Sequence, residues 1–264
     1  MSHIKSPQKI VVDCGETFPH LARSPLVESV IDIRAHASAA FEESSVRAAL
    51  EPQLSGFVFL DAHRAFEHEL HIEGESPPRQ TFRDLGFRGV RFQTADQKQI
   101  VQFNRDGFVY SRLEPYPDWN TFSQEGLRLW GIFSAMARPV EINRIGLRFI
   151  NRIELPSGSF DLGDYIKPAP EPPRNFDLPF IGFMHQETFA VPGHSYFVNV
   201  VRTVQPPQAG SDKGPGLILD IDVFSTRVPT LDQGLPMRTL DEMRWLKNKV
   251  FFGSVTENAI RSFQ

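Results

Sequence analysis

Polar and apolar residues alternate along the segment from Arg138 to Pro156. One side of the alternation carries Arg144, Arg148 and Arg152, and the other carries Ile145, Leu147, Phe149 and Ile153. Because successive side chains of a strand point to opposite faces, this pattern predicts a strand with arginines on one face and apolar residues in a core. The four-residue spacing of the arginines also suits a helix, but Gly146 and the isoleucines favour the strand.

Similar but shorter patterns predict the other secondary-structure elements. The remaining strands are expected at 25–37, in the second half of 56–75, and at 86–92, 99–113, 181–191, 195–203 and 216–224. A polar turn at 94–98 predicts a hairpin, and Asn104, Asp106 and Gly107 predict a bulge or second turn inside 99–113. Helices are expected at 41–54, 118–137 and 239–263. Asp118 is the predicted N-cap of the second helix, and Gly253 and Thr256 are candidate breaks in the third.

Long strands joined by hairpins, with few helices, predict an α+β fold. We expect a largely antiparallel curved sheet, or sheets, with about three helices packed on one face, and two similar halves are compatible with this order. The predicted organisation is an N-terminal arm (1–24), a first α+β half (25–164), a Pro-rich linker (165–180) and a second β-rich half ending in a helix (181–264).

Composition places the chain among ordinary globular proteins. It has 264 residues, of which 41% are hydrophobic and 23% charged, and a net charge of -4 gives no global attraction to nucleic acid or anionic lipid. The single cysteine, Cys14, excludes an intrachain disulfide, and neither a secretion signal nor a membrane-spanning apolar run is present. We therefore expect a cytoplasmic protein without membrane contact. The 23 phenylalanines predict a large aromatic core or interface.

The arginine face is the first candidate for chemistry. Arginine forks suit phosphate or carboxylate, and neighbouring arginines repel one another unless acidic groups lie nearby. The candidate anion-binding residues are Arg34, Arg144, Arg148 and Arg152, and the candidate acidic residues are Glu28, Asp32, Asp220 and Asp222. Two interpretations remain open at this stage: an anion-binding wall, or the solvated side of a sheet with cross-strand ion pairs.

Other chemistry has weaker support in the sequence. His63, His68 and His71 lie among carboxylates, but no recognised metal-ligand spacing is present, so we predict no metal site. Neither Cys14 nor Ser195 stands in a nucleophile motif, no phosphate-binding or dinucleotide loop occurs, and we expect no cofactor. Arginines interleaved with phenylalanines between residues 82 and 128 are compatible with single-stranded nucleic acid. Alternation would bury most of those rings, so this partner is not favoured.

Several ordered segments resemble one protein family. They are PLVESVIDIR, QIVQFNRDGFVYSRLEPYPDW, a tryptophan-bearing helix, EINRIGLRFINRIELP and FFGSVTENAIRSF, which together extend from about Pro25 to Phe263. In these segments the chain resembles the TIGR04255 family, a sporadically distributed set of bacterial proteins of about this length. The resemblance implies no established activity and assigns no catalytic residue. Its patchy distribution is typical of mobile-element, defence or toxin–antitoxin genes.

These observations lead to two functional hypotheses. The first is a non-enzymatic protein that binds a macromolecular partner, with a protein the expected partner and a homodimer compatible with it. A defence or toxin–antitoxin-like module is the setting that the resemblance suggests. The alternative is a protein that binds or hydrolyses a phosphorylated small molecule in a sheet cavity lined by the arginines and carboxylates named above.

Overall fold

A computed structural model describes residues 8–71, 79–171, 182–207, 214–227 and 237–264. The strands in this part of the chain are β1 Leu26–Arg34, β2 Phe57–His71, β3 Arg79–Thr94, β4 Gln99–Asn104, β5 Gly107–Leu113, β6 Arg144–Glu154, β7 Met184–Ala190, β8 Tyr196–Gln205 and β9 Gly216–Ser225. The helices are α1 Glu43–Leu50, α2 Trp119–Ala137, α3 Met237–Ser254 and α4 Glu257–Ser262. Two short 3-10 helices occupy Glu51–Gln53 and Leu162–Asp164.

The nine strands form one sheet in the order β2-β3-β4-β5-β1-β6-β9-β8-β7. Each strand is antiparallel to its neighbours, and the sheet is open, with β2 and β7 as its edges. The predicted α+β class, with an antiparallel sheet and about three helices, is therefore confirmed.

The chain order repeats about the central β1–β6 pair. After β1, a meander of four strands returns so that β5 pairs with β1, and α2 follows. After β6, a meander of three strands returns so that β9 pairs with β6, and α3 follows. The two predicted halves thus contribute to one continuous sheet, and in each half a long helix follows the meander.

The helices cover one face of the sheet over an aromatic core. Phe122 of α2 stacks on Tyr110 of β5 at 5.3 Å between ring centroids, and Phe133 lies 6.5 Å from Phe103 of β4. Fully buried large side chains in this layer include Phe41, Phe92, Phe103, Phe108, Tyr110, Phe122, Phe133 and Phe149. Each buried phenylalanine contributes roughly 1.5–3 kcal/mol of hydrophobic free energy, so the predicted aromatic core is a major source of stability.

Local sequence determines where the helices begin and end. Asp118 caps α2 by accepting a hydrogen bond from the Thr121 backbone N at 2.9 Å, as predicted. Arg138 ends this helix in the left-handed region (φ 46°), and Pro139 prevents its continuation. The predicted C-terminal helix is divided, because Thr256 caps a new helix by accepting from the Ala259 backbone N at 3.1 Å.

One strand begins earlier than predicted, and a second turn is present inside 99–113, one of the two alternatives predicted there. β3 begins at Arg79 rather than at residue 86, because Gly86 has φ 85° and its neighbours form a bulge that interrupts the alternation. The predicted strand 99–113 is two strands joined by a tight turn before Gly107. Gly107 has φ 155°, and an added Cβ would lie 2.3 Å from the Ile33 carbonyl oxygen, so this turn requires glycine.

The predicted arm and linker both contact the C-terminal helices where they are described. Phe18 of the arm stacks on Phe252 at 5.5 Å, and Glu16 accepts a hydrogen bond from Trp245 Nε1 at 2.7 Å. In the linker, Ile166 is fully buried and forms a bridge with Val255. Linker residues 172–180 lie outside the described part of the chain.

Candidate functional site

The structure places all eight candidate residues on one face of three adjacent strands, β1, β6 and β9. Ile145, Leu147 and Phe149 of β6 are at most 2% exposed and face the helices. The arginines at alternate positions therefore project from the opposite face of the sheet. The strands that carry the acidic residues, β1 and β9, pair with β6 on either side. In their register Arg148 lies opposite Asp222 on β9 and Val30 on β1. We call these eight residues the charged network.

Arg144 is the best-connected member of the charged network. Its Nη1 donates to Asp32 Oδ2 at 2.7 Å, and its Nη2 donates to Asp222 Oδ2 at 2.7 Å. The guanidinium also lies over the Phe224 ring, 4.9 Å from its centroid. Gly146 leaves room for this arrangement, because a Cβ there would approach Arg144 Nη1 to 2.4 Å. One arginine thus joins the carboxylates of two different strands.

The other arginines are also occupied by protein acceptors. Arg148 forms a two-point contact with Asp220, with its Nε 2.8 Å from Oδ1. Arg152 pairs with Glu154 and donates through Nη2 to the Gly214 carbonyl oxygen at 2.8 Å. Arg34 lies 3.1 Å from Asp32 Oδ1 through its Nε and is about half exposed.

The carboxylates influence the protonation of the charged network. Burial raises the pKa of Asp222, and Arg144 and Arg148 partly oppose that increase. The pKa of Arg148 is raised, chiefly by its hydrogen bond to Asp220, with smaller contributions from Asp222 and Glu28. Arg34, Arg144 and Arg148 are thus paired with Asp32, Asp222 and Asp220, whereas Arg152 pairs with Glu154 outside the network. A phosphate would have to displace carboxylates that already hold Arg144 and Arg148.

A cavity of about 550 Å³ lies on the helical side of the sheet, and none of the charged network lines it. Its walls come from the arm (residues 14–24), Leu26 of β1, the segment 116–119, Phe149 and Asn151 of β6, and α3. Lys247 of α3 enters this cavity, with its Nζ 4.1 Å from the centroid of the Phe149 ring. Sequence reasoning did not single out Lys247. The signal in the sequence was its position, four residues from both Met243 and Phe251 on the apolar side of α3.

The outer part of the β2–β3 hairpin is a second feature that the sequence did not reveal. β3 pairs with β4 only over residues 89–93, whereas β2 and β3 continue together to His71 and Arg79. We call this outer part, residues 64–71 and 79–87, the ribbon. Phe66 on it is 64% exposed and Leu85 is 41% exposed. An apolar pair exposed on a two-stranded extension is an unusual use of large hydrophobic side chains.

Exposed large apolar side chains concentrate at the two ends of the sheet. Val58, Leu60 and Phe66 belong to β2, Leu85 to β3, and Met184 and Phe189 to β7, the opposite edge strand. In the described part of the chain, only Val11 and Val140 share this exposure elsewhere. The edges are therefore more apolar than the solvated helix surfaces.

The geometry of the described residues supports neither a metal site nor a nucleophilic cysteine. Within these ranges, no three side chains of the histidine, cysteine or carboxylate type come together as metal ligands. His63 lies 3.8 Å from Asp61, whereas the side chains of His68 and His71 fall outside the part described. Desolvation raises the pKa of the Cys14 thiol, which disfavours the thiolate that a nucleophile needs.

Of the phenylalanines considered for base stacking, Phe87, Phe92, Phe103 and Phe108 are buried in the core, and the side chain of Phe82 falls outside the part described. No helix in the described ranges is both long and apolar enough to cross a bilayer. Comparisons of the chain with protein-family models, with curated proteins and with solved structures found no match in any of the three.

Proposed function

We propose that this protein acts by binding a protein partner through the ribbon, and that it is not an enzyme. The observation that carries the proposal is the extent to which the ribbon projects. Eight register pairs, from Arg64–Phe87 to His71–Arg79, lie beyond the last β3–β4 pair, which corresponds to about 25 Å of strand at roughly 3.3 Å per residue.

A two-stranded ribbon of this length has little stability on its own. Isolated hairpins are marginally stable in water, because each strand has one neighbour and little apolar area is buried. The outer edge of β2 has no neighbouring strand over its whole described length. Its backbone groups can pair with an added strand, a common mode of protein recognition. Phe66 would then be buried by the partner.

The charges on the ribbon favour a protein over a nucleic acid. Arg64 donates to Asp84 at 2.8 Å and lies 3.9 Å from Glu43, and Arg83 lies 3.9 Å from Glu67. These arginines are paired with carboxylates rather than presented as a basic surface. A phosphate backbone requires an excess of positive charge, which this arrangement lacks. A mixed polar rim around a central aromatic residue is typical of protein interfaces.

The alternative of a phosphorylated ligand at the charged network has less support. Arg144 and Arg148 already hold carboxylates, and the network does not line the described cavity. A defence or toxin–antitoxin-like setting, like the TIGR04255 resemblance that suggests it, remains a prediction from the sequence.

Affinity purification of the tagged chain from its native cells, with Phe66→Asp and Val140→Asp compared with wild type, tests the proposal. Val140 is 79% exposed but lies outside the ribbon, so Val140→Asp controls for the added charge. We expect one protein to be recovered with wild type and Val140→Asp. With Phe66→Asp its recovery should fall at least about tenfold, as for the loss of a central aromatic contact.

The partner could be a second copy of this chain, and the mass of the purified protein in solution tests this case. Light scattering should then show a dimer for wild type and Val140→Asp but a monomer for Phe66→Asp. Equal recovery with all three chains, or no specific protein and a monomeric wild type, would contradict the proposal.

A further inference from the structure

The cavity beside α3 has the size and lining of a small-molecule site. Its volume of about 550 Å³ falls within the roughly 300–1,000 Å³ usual for such sites. Aromatic side chains form part of the walls: Phe18, Tyr116, Trp119, Phe149, Trp245, Phe251 and Phe252. Polar and charged side chains line much of the rest, among them Glu16, Asp118, Asn151, Asp241, Arg244 and Asn248. Aromatic walls beside polar groups suit a ligand that has a flat apolar body and a polar end.

Lys247 carries the only ammonium among the described residues that line this cavity, and Arg244 is a second cation there. Among the described residues, no carboxylate lies within ion-pair distance of its Nζ, and it donates no hydrogen bond. Its observed contact is with the face of the Phe149 ring. Burial lowers the pKa of Lys247 to about 7, and the nearby positive charge of Arg244 adds to that effect. An unpaired, desolvated ammonium is costly, and an anion placed beside it would remove that cost.

The carboxylates around the cavity are engaged with other groups. Asp241 accepts from Trp119 Nε1 at 2.7 Å. Glu16 accepts from Trp245 Nε1 at 2.7 Å and from Lys249 Nζ at 2.9 Å. Asp118 accepts from the Thr121 backbone N at 2.9 Å. All three of these acids, which line the cavity, thus have hydrogen-bond partners other than Lys247. The positive charge in the cavity is therefore available to a ligand rather than to the protein itself.

We propose that this cavity binds a small organic carboxylate with a flat aromatic body, whose carboxylate contacts Lys247 Nζ. The aromatic walls bury the apolar body, and the single ammonium selects one negative charge. Inorganic phosphate would meet the same ammonium but leave the rings uncovered. This site lies on the helical side of the sheet and is independent of the ribbon.

Isothermal titration calorimetry with naphthylacetate and its neutral analogue naphthylacetamide tests the proposal. The two probes share one apolar body and differ in charge. We expect naphthylacetate to bind with one site per chain, and the amide to bind at least about tenfold more weakly because it cannot form a charge-assisted contact. Lys247→Met, which keeps the aliphatic stem, should abolish this preference for the acid.

Arg238→Met is the matched control. Arg238 lies on the same helix, is 86% exposed in its side chain and does not line the cavity. This variant loses the same charge, so it should bind naphthylacetate like wild type. Equal binding of acid and amide, binding of the acid by Lys247→Met as tight as by wild type, or an equal loss in Arg238→Met overturns the proposal. Binding of inorganic phosphate as tight as that of naphthylacetate also overturns it.

A second measurement uses the wild-type chain and does not depend on a variant folding. Acetic anhydride labels free amines, and peptide mass spectrometry reports the extent at each lysine. We expect naphthylacetate to reduce labelling of Lys247 several-fold while leaving Lys249, which is about half exposed, unchanged. Unchanged labelling of Lys247, or equal protection of both lysines, contradicts the assignment of the ligand to this cavity.

Discussion

Arg144 bridges two carboxylates that belong to different strands, Asp32 on β1 and Asp222 on β9. All three side chains are about one-fifth exposed, so water screens the contacts only in part. Removing the arginine would leave two partly buried carboxylates without their strongest partner. The charged network thus helps to hold the three central strands β1, β6 and β9 together.

Arg144→Met should therefore destabilise the protein more than Arg34→Met. We expect a loss of about 2 kcal/mol for Arg144→Met, less than for a fully buried pair because of partial exposure, and under about 1 kcal/mol for Arg34→Met. Arg34 also contacts Asp32 but is about half exposed. The midpoint of urea unfolding measures both values. Equal losses would mean that the Arg144 contacts add no more than a surface ion pair.

Lys247 should make stability depend on pH in a defined direction. Its pKa in the folded protein is about 7, whereas an unfolded lysine titrates near about 10.4. Between these values the unfolded chain binds a proton that the folded chain lacks, so stability should rise with pH across this window. Below about pH 7 the folded state carries the full cost of the charged, unpaired amine.

Melting temperatures of wild type and Lys247→Met, compared from about pH 6 to pH 10, isolate this contribution. The methionine variant should be the more stable at the acidic end, and the difference should shrink as pH rises. Other titratable groups face the cavity and are common to both chains, so their effects cancel in the difference: Cys14, Glu16, His20, Tyr116, Asp118, Asp241 and Arg244. A difference that is constant with pH would contradict the lowered pKa.

At the scale of elements, the central strands and the ribbon should differ in local stability. β1 has a hydrogen-bonded neighbour on each side, whereas each strand of the ribbon has one. Amide hydrogen exchange of the free protein should therefore be faster in residues 64–71 and 79–87 than in Leu26–Arg34 by orders of magnitude. Mass spectrometry of exchanged peptides measures this contrast. Equal protection of the two regions in the monomeric, partner-free chain would show that the ribbon is stable without a bound partner.

Regular elements were predictable because their patterns are local. The alternation through β6 and the N-cap Asp118 of α2 both appear in the structure as the residues indicate. The start of β3 was missed because the bulge at Gly86 breaks the two-residue period. Lys247 was missed because lysine is expected on the solvent-exposed side of a helix, whereas this one lies on the side that lines the cavity. Its lack of an acidic partner depends on long-range packing, which no spacing reveals.

At the scale of the whole molecule, one sheet joins the two halves that were predicted from the sequence. β6 belongs to the first half and pairs over ten residues with β9 of the second. The class of fold followed from the number of strands and hairpins, whereas the order of strands required contacts between distant segments. The projection of the ribbon was also unpredictable, because it depends on β4 being shorter than β3.

The central position of β1 has a consequence for biosynthesis. β1 leaves the ribosome well before one of its two neighbours, β6, which begins at Arg144, and β6 in turn pairs with β9, which begins at Gly216. A nascent chain that has completed the first meander therefore presents an unsatisfied strand until translation has advanced by dozens of codons. Such transient edges promote misassembly, so we expect folding of this protein in the cell to be sensitive to the pace of elongation and to chaperones that shield β1.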